Sequence, residues 1–376
     1  MQIVTTAAGT GGEERAGTVL TIDLAALAAN YRLLRDRAAP AVCSAVVKAD
    51  GYGLGAATVA PVFYGEGCRH FFVAHLDEAL ELKQALRPDV SIYILNGLPP
   101  GAEAECAAAG LIPVLNGMEQ VARWAAEARR LRRPLPAVLQ VDSGMSRLGL
   151  PAADVARIAG EPQLLDGIRL LYVMSHLACA DQPDHPLNAR QLEAFRAARA
   201  AFPGVPASLA NSAGIFLGPD YHFDLVRPGA SLYGLAPALD RPNPMERVVT
   251  LHAKVIQTRE IAAGDVVGYG ATFRAERPTR VATIALGYGD GWPRALSGRG
   301  AAWYEGTRLP FLGRVSMDSI TIDVSALPFG LPQAGDLVEL LGPHQSADEV
   351  AAQCGTIGYE ILTSLGRRHH RRYIGG

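Results

Sequence analysis

The stretch VVKADGYGLGA, Val46–Ala56, closes an apolar run with a lysine and then turns at once through three glycines. The chain has only three lysines, Lys48, Lys83 and Lys254, among its 35 basic side chains. Arginine normally supplies positive charge here, so a lysine at this position needs a reason. Taken alone, GYGLGA fits the G-x-G-x-x-A form of a dinucleotide-binding turn, and Asp77 lies where a ribose-binding acid would stand. That reading leaves Lys48 without a role and calls for a six-stranded open sheet. An ordinary ion pair between Lys48 and Asp50 is a purely structural alternative. The third reading makes Lys48 a functional amine, because desolvation lowers a lysine pKa and suits it to imine chemistry with a carbonyl.

The pattern outward from this stretch favours the third reading. Between about residues 40 and 235, β-rich runs alternate with amphipathic helical stretches. The strand candidates are residues 42–48, 70–76, 91–96, 111–116, 137–142, 168–176, 207–212 and 223–227. Helical spacing marks 77–87, 117–131 and 188–202, and an earlier helix over 25–38 follows Asp23, a good N-cap. Eight strands, each followed by a helix, are the count of a (β/α)8 barrel. Lys48 then stands at the C-terminal end of the first strand, where barrel enzymes keep their chemistry. Beyond the turn cluster ALDRPNPMER the runs become rich in β-branched residues separated by glycine turns, with one helix near 347–355. The expected fold is α/β: a TIM-like barrel over 17–240 followed by a mostly antiparallel β domain over 241–376, with 1–16 as a flexible leader.

Composition narrows the function. A formal net charge of −2 over 376 residues argues against a nucleic-acid or membrane-surface protein. The one basic cluster, Arg367–Arg372, reads as a solvated or salt-bridged terminus. Five cysteines with no CxxC pairing fit free thiols in a reducing compartment. The first sixteen residues lack the features of a secretory signal, and no apolar run reaches membrane-spanning length. A cytoplasmic protein is expected.

Two later loops supply what an imine-forming lysine would need. LANSAG places Asn211 and Ser212 just after strand seven, and LVRPGAS places Arg227 on strand eight, followed by Gly229 and Ala230. Loops after strands seven and eight of barrels often bind phosphate through backbone N–H groups and a hydroxyl. A lysine for an imine and a phosphate cradle opposite it describe pyridoxal phosphate. His176, Cys179, Asp181 and His185 lack paired ligand spacing, so no metal is expected.

The motifs, taken in order, resemble those of bacterial alanine racemases: AVVKADGYGLGA (45–56), VDSGMSRLGL (141–150), MSHLACAD (174–181), ANSAG (210–214), VRPGASLYGL (226–235), GYGATF (268–273), LGYGDGWPR (286–294), LGRVSMDSITIDV (312–324) and TIGYE (356–360). The resemblance covers the chain from about residue 17 and displaces the dinucleotide reading. It implies that Lys48 joins pyridoxal phosphate as an imine and acts as one acid/base, with Tyr269 as the second, supplied by the partner of a homodimer. It implies that Tyr52, Ser212, the backbone at Gly229 and Ala230, and Tyr359 hold the phosphate. Arg227 would face the pyridine nitrogen, and His176 would link Arg227 to Tyr269. Arg147 would support the phenolic oxygen, the backbone at Met317 would hold the substrate carboxylate, and Tyr288 and Asp318 would line the access path.

Inversion of a centre needs a base on one face and an acid on the other, so lysine and tyrosine must flank the ring. The His176–Arg227 pair is expected to carry the positive charge that makes a tyrosine a usable base. The implied activity is interconversion of L- and D-alanine, supplying D-alanine for peptidoglycan. A racemase of broader specificity, a barrel decarboxylase and a non-catalytic cofactor-binding protein are the alternatives; Arg227 argues against the second and the β domain against the third. Gln140 stands where many members have a lysine that becomes carbamylated, Leu54 where histidine is usual, and Ser316 where cysteine is frequent.

Overall fold

Eight short parallel strands close on themselves in the first of two units. The structure, a computed structural model, describes residues 10–376. One unit is Leu27–Glu246; the other is Arg247–Gly376 with the described residues up to Ala26. In the first, the strands are 42–46 (in two pieces), His70–Val73, Ser91–Ile94, Ile112–Leu115, Leu135–Gln140, Ile168–Met174, Ala207–Ser208 and Leu225–Val226. Each of the first six pairs in parallel with the next. The eighth is tied to the seventh by the Asn211–Arg227 bridge and by the Asp224 N–H on Ala207 O. It pairs in turn with the first, Leu225 opposite Val42 and Val226 opposite Cys43, so the ring is complete. Strands such as Ile112–Leu115 are buried along their whole length, which is why they read as unbroken apolar runs.

The expected helices form as Leu24–Ala38, Leu76–Ala85, Met118–Leu131 and Leu187–Arg199, and three more appear at Ala56–Gly65, Glu103–Ala109 and Ala152–Gly160. The expectation of a helix after every strand is corrected at the end of the ring. Strands seven and eight are followed only by single 3-10 turns, Ala213–Phe216, Pro219–Tyr221 and Ala230–Tyr233. The helix Leu24–Ala38 makes up for the missing eighth helix. Asp23 Oδ1 caps it by accepting the N–H groups of Ala25 and Ala26 at 2.9 and 3.0 Å. From its buried face Asn30 Nδ2 donates to Leu232 O and Glu246 O, and Asn30 Oδ1 accepts the Glu246 N–H at 2.7 Å. The helix that precedes strand one thereby clamps the chain that leaves strand eight.

The second unit corrects the boundaries. Thr18–Asp23 is a strand, yet it does not begin the barrel at residue 17. It lies antiparallel to Val249–Ile261 and parallel to His370–Ile374, inside an eight-stranded, mostly antiparallel sheet. The division therefore falls at 26/27 and 246/247 rather than at 16/17 and 240/241. The leader is not loose throughout, since Thr10–Arg15 forms a helix whose Glu13 carbonyl accepts from Lys254 Nζ; residues 1–9 lie outside the described residues. The basic tail is bonded within the unit: Arg372 meets Glu13 and Thr21, and His369 lies buried between Thr18 Oγ1 and Asp290 O. Among the described residues no helix is long and apolar enough to cross a membrane.

Asn30→Ala would leave the buried Leu232 carbonyl and the part-buried carbonyl and amide of Glu246 without these partners, at a cost of about 1–3 kcal/mol. The urea midpoint of the variant should fall accordingly; an unchanged midpoint would mean that the clamp contributes nothing.

Candidate active site

Lys48 ends the first barrel strand, and the backbone then takes a conformation that L-residues avoid. Ala49, Asp50, Gly51, Tyr52 and Gly53 all have positive φ, between 52° and 82°. Two carboxylates hold this left-handed turn. Glu78 Oε1 accepts the Ala49 N–H at 2.6 Å, and Asp50 Oδ1 accepts the Ala56 N–H at 2.7 Å. Asp50 is thus engaged with backbone, and the charged neighbours of Lys48 are Arg147 and Glu78. The Lys48–Asp50 ion pair is not formed. Burial, and then the Arg147 guanidinium, push the Lys48 amine below the ordinary lysine range.

The turn sends Tyr52 back over the barrel, where its ring stacks on Tyr233 with centroids 4.6 Å apart. Its hydroxyl reaches Gly229, where an added Cβ would collide with Tyr52 Oη. Ser212 Oγ accepts the Gly229 N–H at 2.8 Å and the Ser231 N–H at 3.3 Å. The hydroxyls of Tyr52 and Ser212 therefore converge on the Gly229 backbone. The amide of Ala230 donates to nothing among the described residues, and the buried Ser231 hydroxyl has no partner. A small anion with several acceptor oxygens fits this cradle. Asn211 has a supporting role, its Oδ1 capping Gly214 N–H at 2.9 Å.

Arg227 is only 3% exposed. It donates through Nη2 to Ser175 O at 2.6 Å, through Nη1 to Ser208 Oγ, and at 3.5 Å to Nδ1 of His176. Burial lowers its pKa to about 10, so it keeps its proton at neutral pH. His176 is pushed down to about 3, first by burial and then by Arg227, Arg147 and Lys48. His176 is therefore neutral and accepts at Nδ1, and the positive charge expected of the pair resides on Arg227. Arg147 is exposed on the loop after strand five, a loop fixed by Asp142 Oδ1 accepting three successive N–H groups, those of Gly144, Met145 and Ser146. Buried Gln140 makes no side-chain hydrogen bond, to Arg147 or otherwise, among the described residues.

One residue escaped the sequence. Gln191, fully buried, accepts the Ala178 N–H at 2.8 Å and donates to His176 O at 2.9 Å and Ser143 Oγ at 3.4 Å. It joins the loop that carries Arg147 to the loop that carries His176. The available signal was a glutamine on the apolar face of the helical stretch 188–202.

The remaining candidates lie in the second unit. Tyr269 is 74% exposed, and Tyr288, Met317, Asp318 and Tyr359 are also exposed. The loops of Tyr288 and Met317 are stitched together by backbone: Tyr288 N–H donates to Ser316 O at 3.0 Å, and Gly289 N–H to Met317 O at 2.8 Å. A Cβ at Gly287 would strike the carbonyls of Ser316 and Met317, so glycine permits the approach. The Met317 N–H donates to nothing among the described residues. The candidates thus form two groups: nine residues in the barrel unit and five in the β unit. Among the described residues no cluster of metal-ligating side chains is found.

Fold and cradle together define a barrel enzyme with an electropositive lysine centre suited to a phosphorylated carbonyl cofactor. Residues 22–237 match the N-terminal domain of alanine racemase and residues 248–373 match its C-terminal domain. The chain is 57% identical over 364 residues to the catabolic alanine racemase of Mesorhizobium japonicum, covering 97% of this chain and 95% of that one. It is 54% identical over 372 residues to the alanine racemase of Brucella abortus, covering 96% and 94%. The crystal structure of alanine racemase from Bartonella henselae, with covalently bound pyridoxal phosphate, aligns with a TM-score of 0.93 at 46% identity, over 96% of this chain and all of that one. The chain belongs to the alanine racemase family.

Because the folded-state pKa of His176 lies below its ordinary value of 6.5, folding excludes its proton. Its contribution to stability is complete above pH 6.5 and is lost as pH falls toward 3. His176→Asn should flatten the loss of stability across that window, and the imidazole should not titrate near neutrality by NMR. A His176 signal titrating at 6.5 would contradict this.

Proposed function

We propose that the protein interconverts L- and D-alanine with pyridoxal phosphate, by taking the α-hydrogen from one face of the substrate and returning a proton to the other. The observation that carries this reading is Lys48, a desolvated amine at a barrel strand end beside a hydroxyl-and-amide cradle. Bound there, pyridoxal phosphate supplies an electron sink that makes an amino acid's α-hydrogen acidic. Tyr52, Ser212, the amides of Gly229 and Ala230, and Tyr359 are the groups for its phosphate, with Asn211 bracing the same loop. Lys48 Nζ takes and returns the proton on one face, and its lowered pKa leaves more of it as free base at neutral pH. Tyr269 Oη, exposed on the β unit, serves the other face in a partner's site.

Arg227 would face the pyridine nitrogen of the bound cofactor. With a pKa near 10 it keeps its own proton, so it withholds one from the ring and disfavours side reactions such as transamination. Neutral His176 accepts from Arg227 and relays the contact toward Tyr269. Arg147 orients the phenolic oxygen, the Met317 N–H takes the substrate carboxylate, and Tyr288 and Asp318 line the access path. The working form is a homodimer with shared sites in the cytoplasm, where D-alanine serves cell-wall precursors. A second physiological reading, breakdown of D-alanine, is favoured by the catabolic name of the Mesorhizobium relative; the chemistry is the same.

Chiral chromatography of alanine provides the test. The wild-type protein with pyridoxal phosphate should bring L-alanine to an equal mixture of enantiomers, and Lys48→Ala and Tyr269→Ala alone should not. Mixed in equal amounts with subunit exchange, the two variants should recover roughly a quarter of wild-type activity, because half the dimers carry one intact site of two. No recovery despite demonstrated exchange would contradict shared sites.

A further inference from the structure

The basic tail contains a residue that the reaction above does not use. Arg368 forks between two carboxylates, its Nε 3.0 Å from Asp290 Oδ1 and its Nη1 2.8 Å from Asp318 Oδ1. Asp290 is buried, and its other oxygen accepts the Gly287 N–H at 2.8 Å. Its carbonyl accepts the Gly366 N–H and a ring N–H of His369, both at 2.9 Å. Asp290 is therefore fixed from four sides, and Asp318 is exposed, with Arg368 the one hydrogen-bond partner of its side chain among the described residues. The turn that Asp290 closes is the one whose Tyr288 and Gly289 amides hold Ser316 O and Met317 O. Arg368 Nη1 also packs against Gly289, where an added Cβ would collide with it.

Met317 is thus held at its carbonyl by Gly289, and the side chain of the next residue is held by Arg368. The Met317 N–H is unpaired among the described residues. A carboxylate arriving at that N–H would meet the negative charge of Asp318 one residue away, and like charges at such short range repel unless a cation intervenes.

We propose that Arg368 is a positioning residue for the substrate carboxylate: by pairing with Asp318 it neutralises the carboxylate that stands beside the Met317 amide. This rests on the reading in which the Met317 amide receives the substrate. Arg368 contacts neither cofactor nor reacting atoms, so it acts on binding and leaves the proton transfers to Lys48 and Tyr269. Its loss should fall on KM, with kcat retained.

The test compares holoenzymes of the wild type, Arg368→Gln and the double variant Arg368→Gln with Asp318→Asn. Arg368→Gln should raise the KM for alanine about tenfold while kcat stays within about threefold. Adding Asp318→Asn removes the exposed charge and should return KM to within about threefold of wild type. Both variants leave the buried Asp290 equally without its arginine, so a general structural lesion would impair them alike; matched melting temperatures check this. An unchanged KM in Arg368→Gln, or no recovery in the double variant, would overturn the proposal. A wild-type protein that leaves alanine enantiomers untouched would sink the functional reading itself, and this proposal with it.

Discussion

The left-handed turn after Lys48 is the constraint on which the site depends. Ala49, Asp50 and Tyr52 take positive φ without being glycine, at about 1–2 kcal/mol each. Gly51 and Gly53 lower the cost, and the carboxylates of Asp50 and Glu78 stabilise the conformation by accepting the amides of Ala56 and Ala49. The turn leaves Lys48 at the strand end and folds Tyr52 back onto Tyr233 and the Gly229 backbone. An ordinary right-handed helix starting at Lys48 would carry Tyr52 away from that cradle. Strain of this kind gathers where a site needs two side chains aimed by adjoining backbone.

Charge is the second organising feature. Lys48, Arg147 and Arg227 all lower the proton affinity of His176, and Arg147 lowers that of Lys48. Glu78 is the one acid acting on Lys48 among the described residues, and its carboxylate also holds backbone. Such a cluster is uncomfortable by itself and favourable around an anion. A phosphorylated cofactor relieves the repulsion, so its binding should also stabilise the fold. The neutrality of His176 follows from the same field, and it leaves Arg227 as the fixed charge at the barrel end.

The sequence made most of the barrel visible. All eight strand runs were legible because parallel strands buried on both faces read as apolar runs between helical periods. Helices rich in alanine and glycine, such as Ala56–Gly65 with Pro61 inside it, left too weak a period to register. The strand Thr18–Asp23 was not among the strand candidates, and its residues were counted with the barrel; which sheet it joins is decided by pairing with Val249–Ile261 and His370–Ile374, far along the chain. Lys48 and the Ser212–Gly229 cradle followed from residue type and position. Tyr269, Met317 and Tyr359 had no such local signal and came from the resemblance alone. Gln191 and Arg368 were invisible because their importance lies in partners brought to them by the fold.

The central claim is that two different groups, Lys48 and Tyr269, each serve one face of the substrate. Exchange of the α-hydrogen with deuterium oxide solvent, followed separately for each alanine enantiomer in Tyr269→Phe holoenzyme, tests it most directly. Exchange into one enantiomer through Lys48 is expected, with exchange into the other and interconversion both suppressed. Equal exchange into both enantiomers, or inversion at the wild-type rate, would contradict it.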